Sequence, residues 1–161
     1  MLRRVAMVLG LSTLLAAPVA AQLPLLDVRF GAQAVLPQGD LADNYKAGFG
    51  AYGRLGFPLG PLKLMGTATW TRLPGKTIDV LGTPVGVEDQ DVIGITAGPH
   101  FSLLPMLDLG LEAGYFSNFE KVGFVPSVSV GLLNFDLMAS YTMVNSDPKA
   151  SWAGLGIGLR F

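Results

Sequence analysis

The chain has no cysteine and a single histidine, His100. Disulfide frameworks, thiolate nucleophiles and cysteine zinc sites are excluded, as is any metal centre built from several histidines. Charged residues make up only 14% of the 161 positions, against 50% hydrophobic ones. That balance excludes a disordered chain and speaks against a nucleic-acid partner, which would require a basic surface. The length predicts one domain. Beyond residue 21 no apolar run reaches the roughly 18 residues of a membrane-spanning helix.

The first 21 residues have a different character from the rest. Arg3 and Arg4 precede an apolar stretch over 5–17, and Val19-Ala20-Ala21 places small residues where a signal peptidase reads. This predicts a signal peptide over 1–21, cleaved before Gln22, and one domain over 22–161. Residues 22–161 retain nine of the basic residues and all twelve acidic ones, a formal charge of −3.

Apolar residues in the remaining chain recur with period two. Ala153, Leu155, Ile157, Leu159 and Phe161 alternate with Trp152, Gly154, Gly156, Gly158 and Arg160. Leu107, Leu109, Leu111, Ala113 and Tyr115 alternate in the same way with Asp108, Gly110, Glu112, Gly114 and Phe116. Such alternation is the mark of a strand with two unlike faces. It predicts eight strands, over 27–36, 48–57, 62–71, 92–103, 107–116, 123–132, 135–143 and 151–161. Most match the roughly 9–11 residues a tilted strand needs to cross a bilayer. Many glycines fall on the less apolar face, where a narrow cylinder has little room.

Connections alternate between short turns and long polar loops, with 72–91 the longest. Within it, 77–80 and 85–87 predict a small hairpin too short to span a membrane. Phe57, Phe101, Phe135 and Phe161 fall at the short-turn end of the apolar face, and Phe49, Trp70, Tyr115, Phe124 and Tyr141 at the long-loop end. Two aromatic girdles around an aliphatic band, with short turns on one side and long loops on the other, characterise outer-membrane barrels. Trp152 has inward parity and fits neither girdle. The predicted fold is all-β: an eight-stranded antiparallel up-and-down transmembrane β-barrel.

With its leader, its eight alternating strands and its terminal Gly-Ile-Gly-Leu-Arg-Phe, the chain resembles the small outer-membrane barrels of the OmpA/OmpX type. The stretch 37–50 is similar to the first loop and second-strand entry of such barrels. The resemblance implies a bacterial outer-membrane location and a C-terminal assembly signal at Phe161 that the barrel-assembly machinery reads. It does not fix an activity, because one fold hosts many functions.

Inward parity carries charges of both signs: Arg29, Arg54, Lys63 and Arg160, with Asp108, Glu112 and Asp136, and Asp27 at the rim. Gln33, His100, Thr67 and several serines add hydrogen-bonding groups. Unpaired buried charge is costly, so these residues predict a polar interior filled by ion pairs with at most isolated waters. The interior network expected from the sequence is therefore Arg29, Arg54, Lys63, His100, Asp108, Glu112, Asp136 and Arg160.

Two other groupings merit attention. His100 and Ser102, with Glu112 on the next strand, have the residue types of a hydrolase triad, which outer-membrane lipid A deacylases use. Here they fall at the short-turn end, facing inward, away from an outer-leaflet substrate, and no catalytic role is assigned. Glu88, Asp89 and Asp91 with Asp79 cluster oxygen ligands, but without calcium-loop spacing; a solvated rim is the preferred reading. No metal or cofactor site is assigned. The leading functional reading is a non-enzymatic monomeric barrel that stabilises the envelope or presents its loops, with membrane lipids and lipopolysaccharide as partners. The alternatives are a narrow solute channel, a lipid-modifying hydrolase, and a soluble lipocalin-like carrier with the opposite sidedness.

Overall fold

The computed structural model describes residues 26–80, 83–104 and 106–161; the expected signal peptide and its cleavage site lie outside them. Ten strands and one short helix follow in chain order. They are β1 (Asp27–Gln38), helix α1 (Asp40–Asn44), β2 (Gly48–Leu59), β3 (Leu62–Leu73), β4 (Thr77–Val80), β5 (Thr83–Gly86), β6 (Gln90–Leu104), β7 (Leu107–Phe116), β8 (Lys121–Leu132), β9 (Phe135–Val144) and β10 (Ala150–Arg160). Eight of them close into an antiparallel barrel in the order β1-β10-β9-β8-β7-β6-β3-β2, while β4 and β5 form a separate hairpin in the longest loop.

The two-residue period becomes two surfaces. Leu55, Ile95, Leu155 and Ile157 are each more than half exposed on the outside, whereas Arg54 and Glu112 are only 2% exposed. All nine girdle aromatics point outward too. An apolar exterior around a charged interior inverts the water-soluble pattern and excludes a lipocalin-like arrangement. The fold is that of a transmembrane barrel, in which hydrocarbon covers the outer face. Among the described residues no helix is long and apolar enough to cross a membrane.

The seam is β1 against β10, in a register that sets Arg29 opposite Arg160 and Ala34 opposite Leu155. Beyond the ladder, the Phe161 amide donates to the Val28 carbonyl at 2.9 Å, and the Val28 amide donates back to Phe161 at 3.2 Å. The Phe161 ring stacks on Phe30 outside, centroids 5.5 Å apart. Phe30 thus joins the turn-side girdle, a member not anticipated from the sequence.

Several strands outrun their expected limits toward the loops. β1 extends to Gln38, β6 begins at Gln90 and β8 at Lys121. On β1 and β6 the outward residues there, Gln38 and Asp91, are polar while the inner face turns apolar, so alternation fades while the backbone ladder continues. The second strand of the loop hairpin is Thr83–Gly86, with Thr77 opposite Gly86. At the other end Gly60 adopts the left-handed φ of 71° that the β2–β3 turn requires.

The glycines do more than lighten the inner face. Tyr52 reaches from β2 across β1 to β10; a Cβ at Gly31, Gly156 or Gly158 would come within 2.9 Å of its ring or hydroxyl. Phe116 lies in the same way over Gly94 and Gly123, and His100 fills the space above Gly110. Each large inward side chain occupies the room that a neighbouring strand leaves by having no side chain.

Candidate functional site

The barrel interior divides into two layers. In the turn-side layer the cations occupy four adjacent strands: Arg160 on β10, Arg29 on β1, Arg54 on β2 and Lys63 on β3. Register places Arg29 directly opposite both Arg54 and Arg160. Like charges so placed repel. The compensation comes from Asp108 and Glu112 on β7, across the bore from β1, from Asp136 on β9, beside β10, and from Asp27 on β1 itself.

Arg29 is the hub. Its guanidinium donates to both carboxylate oxygens of Asp27 at 2.7–2.8 Å, to Asp108 at 2.6 Å, to Asp136 at 2.7 Å and to the Ser129 hydroxyl at 2.9 Å. Lys63 donates to Asp108 at 2.9 Å and to Asp27 at 3.2 Å, and Arg160 lies 3.1 Å from Asp27. One step toward the loops, Arg54 donates to Glu112 at 2.9 Å and to Thr67 at 3.2 Å. Glu112 also accepts from Thr67 and Thr96. His100 Nε2 is 2.8 Å from Glu112 and 3.1 Å from Arg54. Glu112 Oε1 thus lies within hydrogen-bond reach of both His100 and Arg54. The four cations and four carboxylates cancel, and most of their hydrogen-bonding groups are met, as burial of charge demands.

Sequence parity brought these residues to one face but did not identify partners. Asp27 is 7% exposed and binds three cations, so it is an integral member rather than a rim residue. Met138, on the same face, accepts from Arg54 through its sulfur at 3.3 Å. Two buried polar atoms, the Tyr52 hydroxyl and Asp136 Oδ2, lack a partner among the described residues.

The loop-side layer corrects the expectation of a polar interior throughout. Val35, Leu73, Val92, Phe116, Val144 and Trp152 point inward and form an apolar cluster, completed from above by Leu41 of α1. Trp152 meets Phe116 edge-on, centroids 5.7 Å apart, and stacks against Phe119 from the β7–β8 connection at 6.1 Å. Inward parity of Phe116 and Trp152 signalled this layer. The contribution of Leu41 and Phe119, which fold down from the loops, did not show in any periodicity. Between the layers lies a cavity of about 30 Å³ bordered by Gln33, Arg54, Glu112 and Ser127, room for about two waters.

The loops are tied to one another. The Lys76 amide donates to Asn44 and the Lys46 amide to Pro74, each at 2.8 Å, and Lys76 Nζ reaches the Ala42 carbonyl. Arg72 donates to Asp89 at 2.9 Å and lies 3.6 Å from Asp91, while the Gly75 amide donates to Asp89 at 3.1 Å. The hydrogen bond from Arg72 holds the Asp89 carboxyl below the usual carboxylate range. The carboxylate grouping is thus engaged with an arginine, and among the described residues no three acidic or histidine side chains converge as for a metal. Nor do His100, Ser102 and Glu112 form a triad, because the Ser102 hydroxyl donates to Asp108 at 2.6 Å instead of to the histidine.

An apolar outer belt, a paired charge layer and an apolar layer beneath the loops define a small eight-stranded transmembrane barrel. Solved structures share this fold. Ail, the attachment invasion locus protein of Yersinia pestis, crystallised with the heparin analogue sucrose octasulfate, is 22% identical, with 84% of this chain and 97% of that one covered and a TM-score of 0.57. The Yersinia pestis outer membrane protein Ail in a phospholipid bilayer nanodisc is similar at 21% identity, covering 84% and 98%, TM-score 0.56. A de novo designed transmembrane β-barrel matches at 14% identity over 86% and 97%, TM-score 0.52. No protein-family model matches the chain, and no curated protein matches it in sequence.

Proposed function

We propose that this protein is an integral, non-enzymatic barrel of the bacterial outer membrane, with a structural and surface-interaction role and a bore closed to solutes. The carrying observation is that the interior is filled twice, by the ion-paired layer around Arg29 and by the apolar layer around Trp152. Membrane lipids contact the outer belt, and lipopolysaccharide surrounds the loop end. Export uses residues 1–21 as a cleaved signal, and Phe161 serves the barrel-assembly machinery as its recognition mark. The barrel acts as a monomer. The interior network keeps strand register: a slip of one residue would turn Arg54 or Glu112 toward lipid, at about 2–4 kcal/mol for an arginine at the midplane and less for a carboxylate or nearer the interface.

The likeness to Ail supports the bilayer setting through the fold alone. Its sulfated ligand is not carried over, because the loop end here has eight acidic residues against five basic ones. Planar-bilayer recording of the purified protein tests the closed bore. Silent membranes are expected, and steady openings of large conductance would favour the channel reading.

A further inference from the structure

The loops border a half-open vestibule of about 380 Å³ above the apolar layer, walled by α1, the start of β6, the β7–β8 connection and the β9–β10 loop. That volume lies in the range of small-ligand sites. We infer that this vestibule binds neutral saccharides; the inference rests on the loop end facing outward, as proposed above.

Three features converge. First, aromatic faces line the space. Phe119 has one face stacked on Trp152 and remains half-buried, so its other side fronts the vestibule, and Tyr45 lines the α1 side. Flat rings of this kind pack against the C–H faces of a sugar. Second, the polar lining is rich in carboxamides: Asn44, Gln90 and Asn118 each offer both donor and acceptor, the pairing that vicinal hydroxyls require. Among the described residues the side chains of Gln90 and Asn118 make no hydrogen bond to protein, and Asn44 makes one long contact of 3.4 Å. Third, the charges cancel. Asp40 and Asp147 are matched by Lys121 and Lys149, so neither an anion nor a cation is favoured over an uncharged polyol. These four side chains are exposed and stand at the edge, able to contact hydroxyls without desolvation.

The test is saturation-transfer NMR on the purified barrel in dodecylphosphocholine, a detergent without sugar. Lactose, cellobiose and N,N′-diacetylchitobiose are the probes, with sucrose octasulfate as the charged comparison. Transfer to the ring protons of at least one neutral disaccharide is expected, exceeding that to the octasulfate. Asn118→Ala, at an exposed position away from the apolar layer, weakens binding about tenfold. Phe119→Ala weakens it by a similar factor. Absence of transfer to all three neutral sugars, transfer unchanged in both variants, or preference for the octasulfate overturns the inference. Labelling of Asp147→Cys on intact cells with a membrane-impermeant maleimide checks orientation separately in this cysteine-free chain. Labelling without sugar binding removes only the saccharide site; failure to label removes the outward-facing loop end.

Discussion

Arg29 on β1 lies directly opposite Arg54 on β2, two like charges on neighbouring strands that turn to different carboxylates. Among the described residues Arg54 has Glu112 as its one ion-pair partner, whereas Arg29 shares three acids. Removing one partner of the simpler pair leaves a buried charge uncompensated. Arg54→Ala or Glu112→Ala should each cost about 3–5 kcal/mol, and the double variant less than the sum. Urea unfolding from lipid vesicles measures the cycle; additive losses would mean that the pair is not coupled.

Trp152→Ala removes the centre of the loop-side layer. A loss of about 3–5 kcal/mol is expected, as for other buried aromatic truncations. Bilayer recordings should stay silent, because the charge layer beneath still fills the bore. A steady current in this single variant would locate the barrier at the loop end only.

Gly110→Ala tests the packing of glycine against large neighbours. A methyl group there would occupy the place of the His100 ring. Overpacking of this kind costs about 1–3 kcal/mol. The His100 ring resonances should shift as the imidazole leaves Glu112, whereas alanine at Gly53, where a Cβ meets nothing within 4 Å, should leave them unmoved.

The contact between Arg72 and Asp89 carries a pH dependence outside the membrane band. The folded carboxyl titrates below its unfolded value of about 3.9. The contact is therefore intact above that pH and is lost as pH falls through the lower, folded value. In Arg72→Ala the Asp89 midpoint should rise, which carboxyl carbon shifts in an NMR titration would record. An unchanged midpoint would mean that Arg72 does not set it.

Phe161→Ala, which keeps the backbone pair with Val28, separates recognition from packing. Its ring is half exposed and its neighbour is Phe30. Refolding in detergent should remain efficient, while the folded fraction recovered from cells falls sharply. Equal losses in both settings would assign the residue to packing.

Much of the barrel could be read from residue order. The alternation of Leu107 through Phe116 identified a strand and its two faces, and Arg29, Arg54 and Glu112 each fell on the inner one. What alternation cannot convey is which inner residues meet. Arg29 finds Asp108 because closure sets β7 across from β1, and Asp136 because curvature brings β9, two strands away, within reach, relations absent from any local pattern. Strand ends were less legible for a related reason: past Leu36 and before Val92 the outward residues lose contrast with the inward ones. The apolar layer needed Leu41 and Phe119 from irregular segments, where period two has no meaning.

The seating of Tyr52 over Gly31, Gly156 and Gly158 has a consequence for how such a sequence can drift. Shrinking the tyrosine opens a void, and a methyl group at Gly156 meets the ring first, whereas one at Gly31 or Gly158 meets the backbone carbonyl of Ile157 or Phe30 before it meets the tyrosine hydroxyl. Gly31 and Gly158 are therefore held by the backbone whatever stands at position 52, so descendants of this chain should trade bulk only between Tyr52 and Gly156, in matched steps that leave the bore its width.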